Sequence, residues 1–293
     1  MSTWVVVGEG AWPEALAGRL LAGGHEVHRL EAPEAVASAE RVVLAPPAGL
    51  LTHDLYKLAP HLRGHHRVVT LVRGLTAEGL RPTEAVLEWT AVRQVAVLAG
   101  AAGPAAVQSG HPAALVVGSA FPTWAEDIQG ALTSETLRIY TESDMPGVEL
   151  SAALAAVLGV ALGVARALAV GAATEATALT RALAEMDRLV TGLGGRTGTA
   201  YGLAGLGMLA QLAFDGTGEA FQAGARLARG DHEGAASDFP ELAELAARLS
   251  QRAGRQRLRA PLVDTMAALF QGRLPVKDAL AGLMARVLRT EKS

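Results

Sequence analysis

The sequence predicts an α/β half built on a mostly parallel sheet, followed by an all-helical half. Three observations carry this. Short apolar runs alternate with helical stretches as far as about residue 145. Each run is continuously apolar, which is the pattern of parallel strands covered by helices on both faces. Beyond about Glu149, long alanine- and leucine-rich stretches take over, punctuated by glycine at 192–198, 216–218 and 230. A chain of 293 residues favours two domains of about 100–200 residues each. The change of pattern near Thr141–Gly147 divides it into 1–145 and 146–293.

Thr3–Val7 (TWVVV) reads as the first strand and Ala11–Ala22 as the helix after it, stopped by Gly23-Gly24. HEVHRL starts a second strand. RVVLAPP is a strand ending in a proline turn, a helix lies around Leu50–Leu62, and HRVVTLV and QVAVLAG are further strands. The apolar run Ala113–Gly118 precedes a helix near Ala125–Leu132. Ser151–Val170 is nearly long enough to cross a bilayer and carries a small-residue stripe at Ala155, Gly159 and Gly163. Arg166 interrupts it, and a helix apolar all round is equally the buried centre of a large domain. The buried reading is preferred.

Half of the residues are hydrophobic and 19% are charged, so a packed core is expected and wholesale disorder is excluded. A formal charge of −3 gives no basic face for nucleic acid. Without cysteine there are no disulfides, thiolate metal sites or cysteine nucleophiles. The start, MSTWVVVGEG, shows no signal peptide, and a cytoplasmic protein off the membrane is expected. His61, His65 and His66 cluster in HLRGHHRV, read as an exposed turn and not as a metal site. Ser109-Gly110 lacks the strand-to-helix elbow of a serine nucleophile.

The chemistry-bearing motif follows the first strand: Gly8-Glu9-Gly10-Ala11-Trp12-Pro13. A dinucleotide turn needs a tight bend at its first glycine, close backbone approach to a pyrophosphate at its second, and a small third residue. The first two conditions are met. The third position is Pro13, tolerated in a first helical turn but bulkier than glycine. Glu9 and Glu14 place carboxylates where the helix N-terminus would attract phosphate. Glu31, 23 residues after Gly8, could accept ribose hydroxyls or could be a solvated strand end. The expected cofactor is NAD or NADP, bound weakly or not at all.

Longer segments carry a resemblance. GRLLAGGHEVHRL, TLVRGLTAEGL, RIYTESDMPGVELSAALAAVLGVALG, ATALTRALAEMDRL and AGLGMLAQLAFD resemble NAD(P)-dependent glycerol-3-phosphate dehydrogenases in order and spacing. The resemblance implies a Rossmann-type NAD(P)-binding domain followed by a helical dehydrogenase domain. The stretch between HEVHRLEAPE and RVVLAPP is several tens of residues shorter than the family's, which implies a reduced adenosine side.

Position by position, the resemblance implies a degenerate site. The family's catalytic lysine and the asparagine after it fall on Ala155 and Ala156. Its aspartate after Ala-Gly-Leu-Gly falls on Met208, and a downstream threonine on Leu212. The Arg-Asn pair holding phosphate and cofactor falls on Glu219-Ala220. Two further charged positions fall on Arg166 and Glu175. Arg73 stands where the family has a second lysine, and Glu241 matches a cofactor-touching glutamate whose following glycine is Leu242 here. Carbonyl reduction needs a group that polarises the oxygen and supplies a proton. Lysine does both, whereas arginine stays protonated and only polarises. The chain's three lysines, Lys57, Lys277 and Lys292, all lie outside the matching segments.

Three functions remain open on this reading. One is a catalytically disabled homologue binding a nucleotide or small-molecule metabolite. Another is an NAD(P)-dependent oxidoreductase with an altered substrate and Arg73 as the polarising cation. The third is a ligand-free interaction scaffold. The expected cofactor contacts are Gly8, Gly10, Ala11, Trp12, Glu31 and Glu241, with no metal, and the apolar C-terminal helices leave a homodimer open.

Overall fold

The computed structural model describes residues 2–279. Among these, one seven-stranded sheet runs in the order β2-β1-β3-β4-β5-β6-β7. Its strands are β1 (Thr3–Val7), β2 (Glu26–Arg29), β3 (Arg41–Leu44), β4 (Arg67–Thr70), β5 (Gln94–Gly100), β6 (Ala113–Ser119) and β7 (Leu137–Glu142). All neighbours are parallel except β5 and β6. The inner strands β1, β3 and β4 are valine-rich and buried, whereas β2 at the edge is mostly exposed, so the apolar runs sit where both faces are covered. The helices of this half are α1 (Ala11–Ala22), α2 (Leu51–Leu58), α3 (Pro82–Trp89), α4 (Pro104–Ser109) and α5 (Pro122–Leu132). On one face, Trp4 stacks on Trp124 with ring centroids 5.6 Å apart, and the Trp124 indole donates to the Val68 carbonyl at 3.1 Å.

The predicted strands and helices are present, several of them shorter than read. The helix around Leu50–Leu62 is a short 3₁₀ turn followed by α2, and the strand in HRVVTLV ends at Thr70.

The second half comprises α6 (Met145–Ala167), α7 (Ala172–Gly192), α8 (Met208–Asp215), α9 (Glu219–Ala228), α10 (His232–Asp238), α11 (Pro240–Arg255) and α12 (Pro261–Phe270). Asp144 caps α6 by accepting the Gly147 N–H, and the same carboxylate accepts the Arg196 N–H and the Thr199 hydroxyl. The α6 helix is long and apolar enough to cross a membrane, but 94% of its most apolar window is buried within the protein. Its small-residue stripe is a helix crossing. A Cβ on Gly163 would lie 2.7 Å from the Phe221 Cα, and one on Gly224 would lie 2.5 Å from the Val160 carbonyl oxygen. That near-contact fixes α9, and the side chains at its start, against the middle of α6.

Candidate functional site

Strands β1, β3, β4 and β5 run parallel, so their carboxyl ends share one edge of the sheet. The chain leaves β1 toward β2 on one side while β3 lies on the other, which makes the gap between β1 and β3 the switch point where open α/β sheets bind ligands. Gly8 sits there at φ +112°, and a Cβ on it would lie 2.5 Å from the Ala45 carbonyl oxygen. Only glycine permits that turn and that approach. Gly10, at φ +104°, caps α1, and a Cβ on it would meet nothing within 4 Å. Its open side leaves the first amides of α1 accessible, as a pyrophosphate would require.

A cleft of about 570 Å³ opens from this turn. Glu9, Ala11, Trp12 and Pro13 form one wall, and the ends of β3 and β4 (Ala45–Ala48, Leu71–Arg73) form its base. The helical half supplies the opposite wall. Ala156 comes from α6 and Met208 and Leu212 from α8; Glu219 and Ala220 come from the start of α9, and Glu241, Leu242 and Leu245 from α11. A π-helical turn over Leu203–Gly207 leads into α8 and sets the register in which Met208 and Leu212 face the cleft. The positions matched in the sequence as Arg73, Ala156, Met208, Leu212, Glu219, Ala220 and Glu241 thus share one site. Ala155 does not reach it: the residue is fully buried in the helical core together with Met208.

Arg73 opens to solvent through the cleft but is surrounded by both halves of the protein. Burial pulls its guanidinium pKa down, and the charges of Glu219 and then Glu241 oppose that. Arginine starts so high that it stays protonated. Among the described residues, no carboxylate comes within 4.0 Å of it as an ion pair. Among the described residues lining the cleft, Arg73 is the one cation, and it makes no ion pair with the carboxylates that influence it.

Other sequence-predicted residues fall elsewhere. Glu31 is exposed in the bend after β2 and is not part of the cleft wall. Glu14, one helical turn beyond Gly10, is also exposed and off the wall, so Glu9 alone brings a carboxylate to the dinucleotide end. Arg166 and Glu175 are not lost site residues. They bond to each other at 2.8 Å, away from the cleft, and Arg166 also donates to the Ala213 carbonyl. His66 departs from the exposed turn expected of its cluster. It is buried, and its Nδ1 accepts the Arg63 N–H at 2.7 Å. No group of three potential metal ligands occurs among the described residues. Lys277 is exposed near the end of the described chain, and Lys292 lies outside the described residues.

Sequence reasoning missed the device that holds the Arg73 loop. Arg81 and Glu149 are both buried and bond at 2.9 Å. Glu149 also accepts the Thr83 N–H and hydroxyl. From α11, Arg248 donates to the Leu75 carbonyl, and Arg252 reaches the Gly79 carbonyl and the Glu84 carboxylate. The loop that follows Arg73 is thereby gripped by α6 and α11, the helices that also supply Ala156 and Glu241 to the cleft. Arg29 was missed as well: its guanidinium donates to the Gly8 carbonyl at 3.1 Å.

A Rossmann-type sheet with a cleft at its switch point, closed by a helical half, defines a two-domain nucleotide-dependent dehydrogenase fold. The chain belongs to the NAD-dependent glycerol-3-phosphate dehydrogenase family: the family's N-terminal model matches residues 29–125 and its C-terminal model residues 144–281. It is 36% identical to glycerol-3-phosphate dehydrogenase [NAD(P)+] of Gloeobacter violaceus, over 98% of each chain. That relative is therefore of nearly the same overall length. The enzyme of the same name from Agrobacterium fabrum is 30% identical over 88% of this chain and 80% of its own. Among solved structures, glycerol-3-phosphate dehydrogenase from Coxiella burnetii superposes with a TM-score of 0.89 at 22% identity, covering 97% of this chain and 99% of that one.

Proposed function

We propose that this protein is a nicotinamide-dinucleotide-binding member of the family that does not reduce dihydroxyacetone phosphate. The observation that carries this reading is the wall facing Arg73, which is built from Ala156, Met208, Leu212, Ala220 and Glu219. Among its described residues the wall has no lysine or histidine to protonate a carbonyl oxygen and no guanidinium for a phosphate, and the Glu219 carboxylate repels one. The dinucleotide end is better preserved. The Gly8 turn is intact, Gly10 is open, and the α1 amides of Ala11 and Trp12 would hold the pyrophosphate, with Glu241 near the far end of the cofactor. Relatives carrying this fold are named for NAD(P)+, and the bound group would supply or accept a hydride. Glu9 weakens the anion site by like charge, so the affinity is low.

The test is calorimetric titration of the full chain with NADH and NADPH, paired with a turnover assay on dihydroxyacetone phosphate. Saturable binding without turnover is expected. Absence of any dinucleotide binding would favour the scaffold reading, and robust turnover would restore the enzyme.

A further inference from the structure

The substrate end of the cleft holds opposite charges apart. Glu219 exerts the largest charge influence on Arg73, yet the two form no ion pair. The same cleft is lined by apolar side chains, Ala156, Met208 and Leu212 among them. Arg73, Glu219 and Glu241 together carry a net charge of −1, so a phosphate monoester, itself a dianion, meets repulsion. An unpartnered guanidinium is a planar fork suited to one carboxylate. A carboxylate set apart from it is suited to an ammonium.

We propose that this end of the cleft binds a small zwitterion of the aliphatic α-amino acid class. Its carboxylate sits on Arg73, its ammonium on Glu219, and its side chain against Met208 and Leu212. The assignment rests on the reading of this cleft as the ligand site. It reverses the substrate chemistry that the fold's relatives are named for, and every change in the wall acts in the same direction. The small Ala156 leaves room for an alkyl chain beside Met208 and Leu212, and the Glu219 carboxylate offers an ammonium partner where a phosphate would be repelled.

The experiment is calorimetry on the full chain with L-leucine. The comparison ligands are 4-methylpentanoate, which lacks the ammonium, 3-methylbutylamine, which lacks the carboxylate, and glycerol 3-phosphate. L-leucine should bind, and each of the other three should bind at least about tenfold more weakly, the scale of one charge-assisted contact. Glu219→Gln should weaken L-leucine about tenfold while leaving 4-methylpentanoate unchanged or tighter. Glu219 is exposed, so this change does not threaten the fold, and NADH titration of both proteins provides a separate check. Absence of L-leucine binding, glycerol 3-phosphate binding as tightly as L-leucine, or equal losses for both acids in Glu219→Gln would overturn the proposal. NADH binding without L-leucine binding defeats this assignment alone. L-leucine binding without NADH binding defeats the cofactor reading alone.

Discussion

Arg81 donates to Glu149 at 2.9 Å across the junction of the two halves, with both side chains almost wholly out of solvent. Burial pushes the Glu149 carboxyl pKa up, while the charge of Arg81 and the bonds from Thr83 hold it down. Removing Glu149 leaves Arg81 with only the partly exposed Glu84, 2.9 Å away, so the cost falls toward the lower end of the about 3–5 kcal/mol of a broken buried pair. Glu149→Ala should therefore lose about that much stability in urea unfolding. Arg81→Met combined with Glu149→Leu should lose much less, because both charges leave together. Equal losses in the single and double variants would show that packing, not charge, holds the junction.

Gly8 and Gly10 separate steric need from ligand access. Both have positive φ, but only Gly8 has a carbonyl oxygen 2.5 Å from where a Cβ would go. Gly8→Ala should destabilise the protein by more than the roughly 1–2 kcal/mol of a left-handed alanine. Gly10→Ala should cost the backbone strain alone, about 1–3 kcal/mol for its nearly glycine-only φ/ψ region, with no clash added. Thermal unfolding of the two variants measures the difference.

Glu9 reaches the cleft and Glu14 does not. Removing a carboxylate beside a helix N-terminus relieves about 0.3–1 kcal/mol of opposition to an anion. Glu9→Gln should thus tighten NADH about two- to fivefold, whereas Glu14→Gln should leave it unchanged. Calorimetry on both variants decides whether the pyrophosphate lies at this turn.

His66 supplies a pH dependence. Burial lowers its imidazole pKa, against a raising influence from the Arg63 carbonyl oxygen 3.3 Å from Nδ1. With the folded pKa below the unfolded one, the neutral ring's stabilisation is complete above the unfolded value of about 6.5. It is lost as pH falls from there through the folded value, where protonation removes the acceptor used by the Arg63 N–H. Urea midpoints should decline on that acid side in the wild type. His66→Asn, which has no titrating group, should flatten the decline.

The sheet and the central helix were legible because their signals are local. Val5–Val7, Val42–Leu44 and Val68–Val69 are apolar runs within short strands, and the small-residue stripe of α6 marked the face on which another helix packs closely. Strand β7 was missed because Leu137–Glu142 alternates polar and apolar residues between two helices, with half of its positions exposed. The Arg81–Glu149 pair was invisible because 68 residues separate its members. No periodicity links them, only the fold. Most of the helical wall became legible through family resemblance, since Ala156, Met208 and Leu212 carry no chemical signature of their own. That resemblance also misled at Arg166 and Glu175, where two altered charges compensate each other at 2.8 Å and leave the cleft untouched.

On this reading the cleft retains a dinucleotide site and has lost the chemistry of dihydroxyacetone phosphate reduction. The most direct test follows NADH absorbance with purified full-length protein, saturating NADH and dihydroxyacetone phosphate, in parallel with wild-type and Arg73→Gln proteins. A positioned acid is typically worth about 10²–10⁴ in rate, so the expected result is no oxidation above the protein-free control and no difference between the two proteins. Sustained substrate-dependent oxidation by the wild type, abolished in Arg73→Gln, would contradict this reading and make Arg73 the polarising cation of a working dehydrogenase.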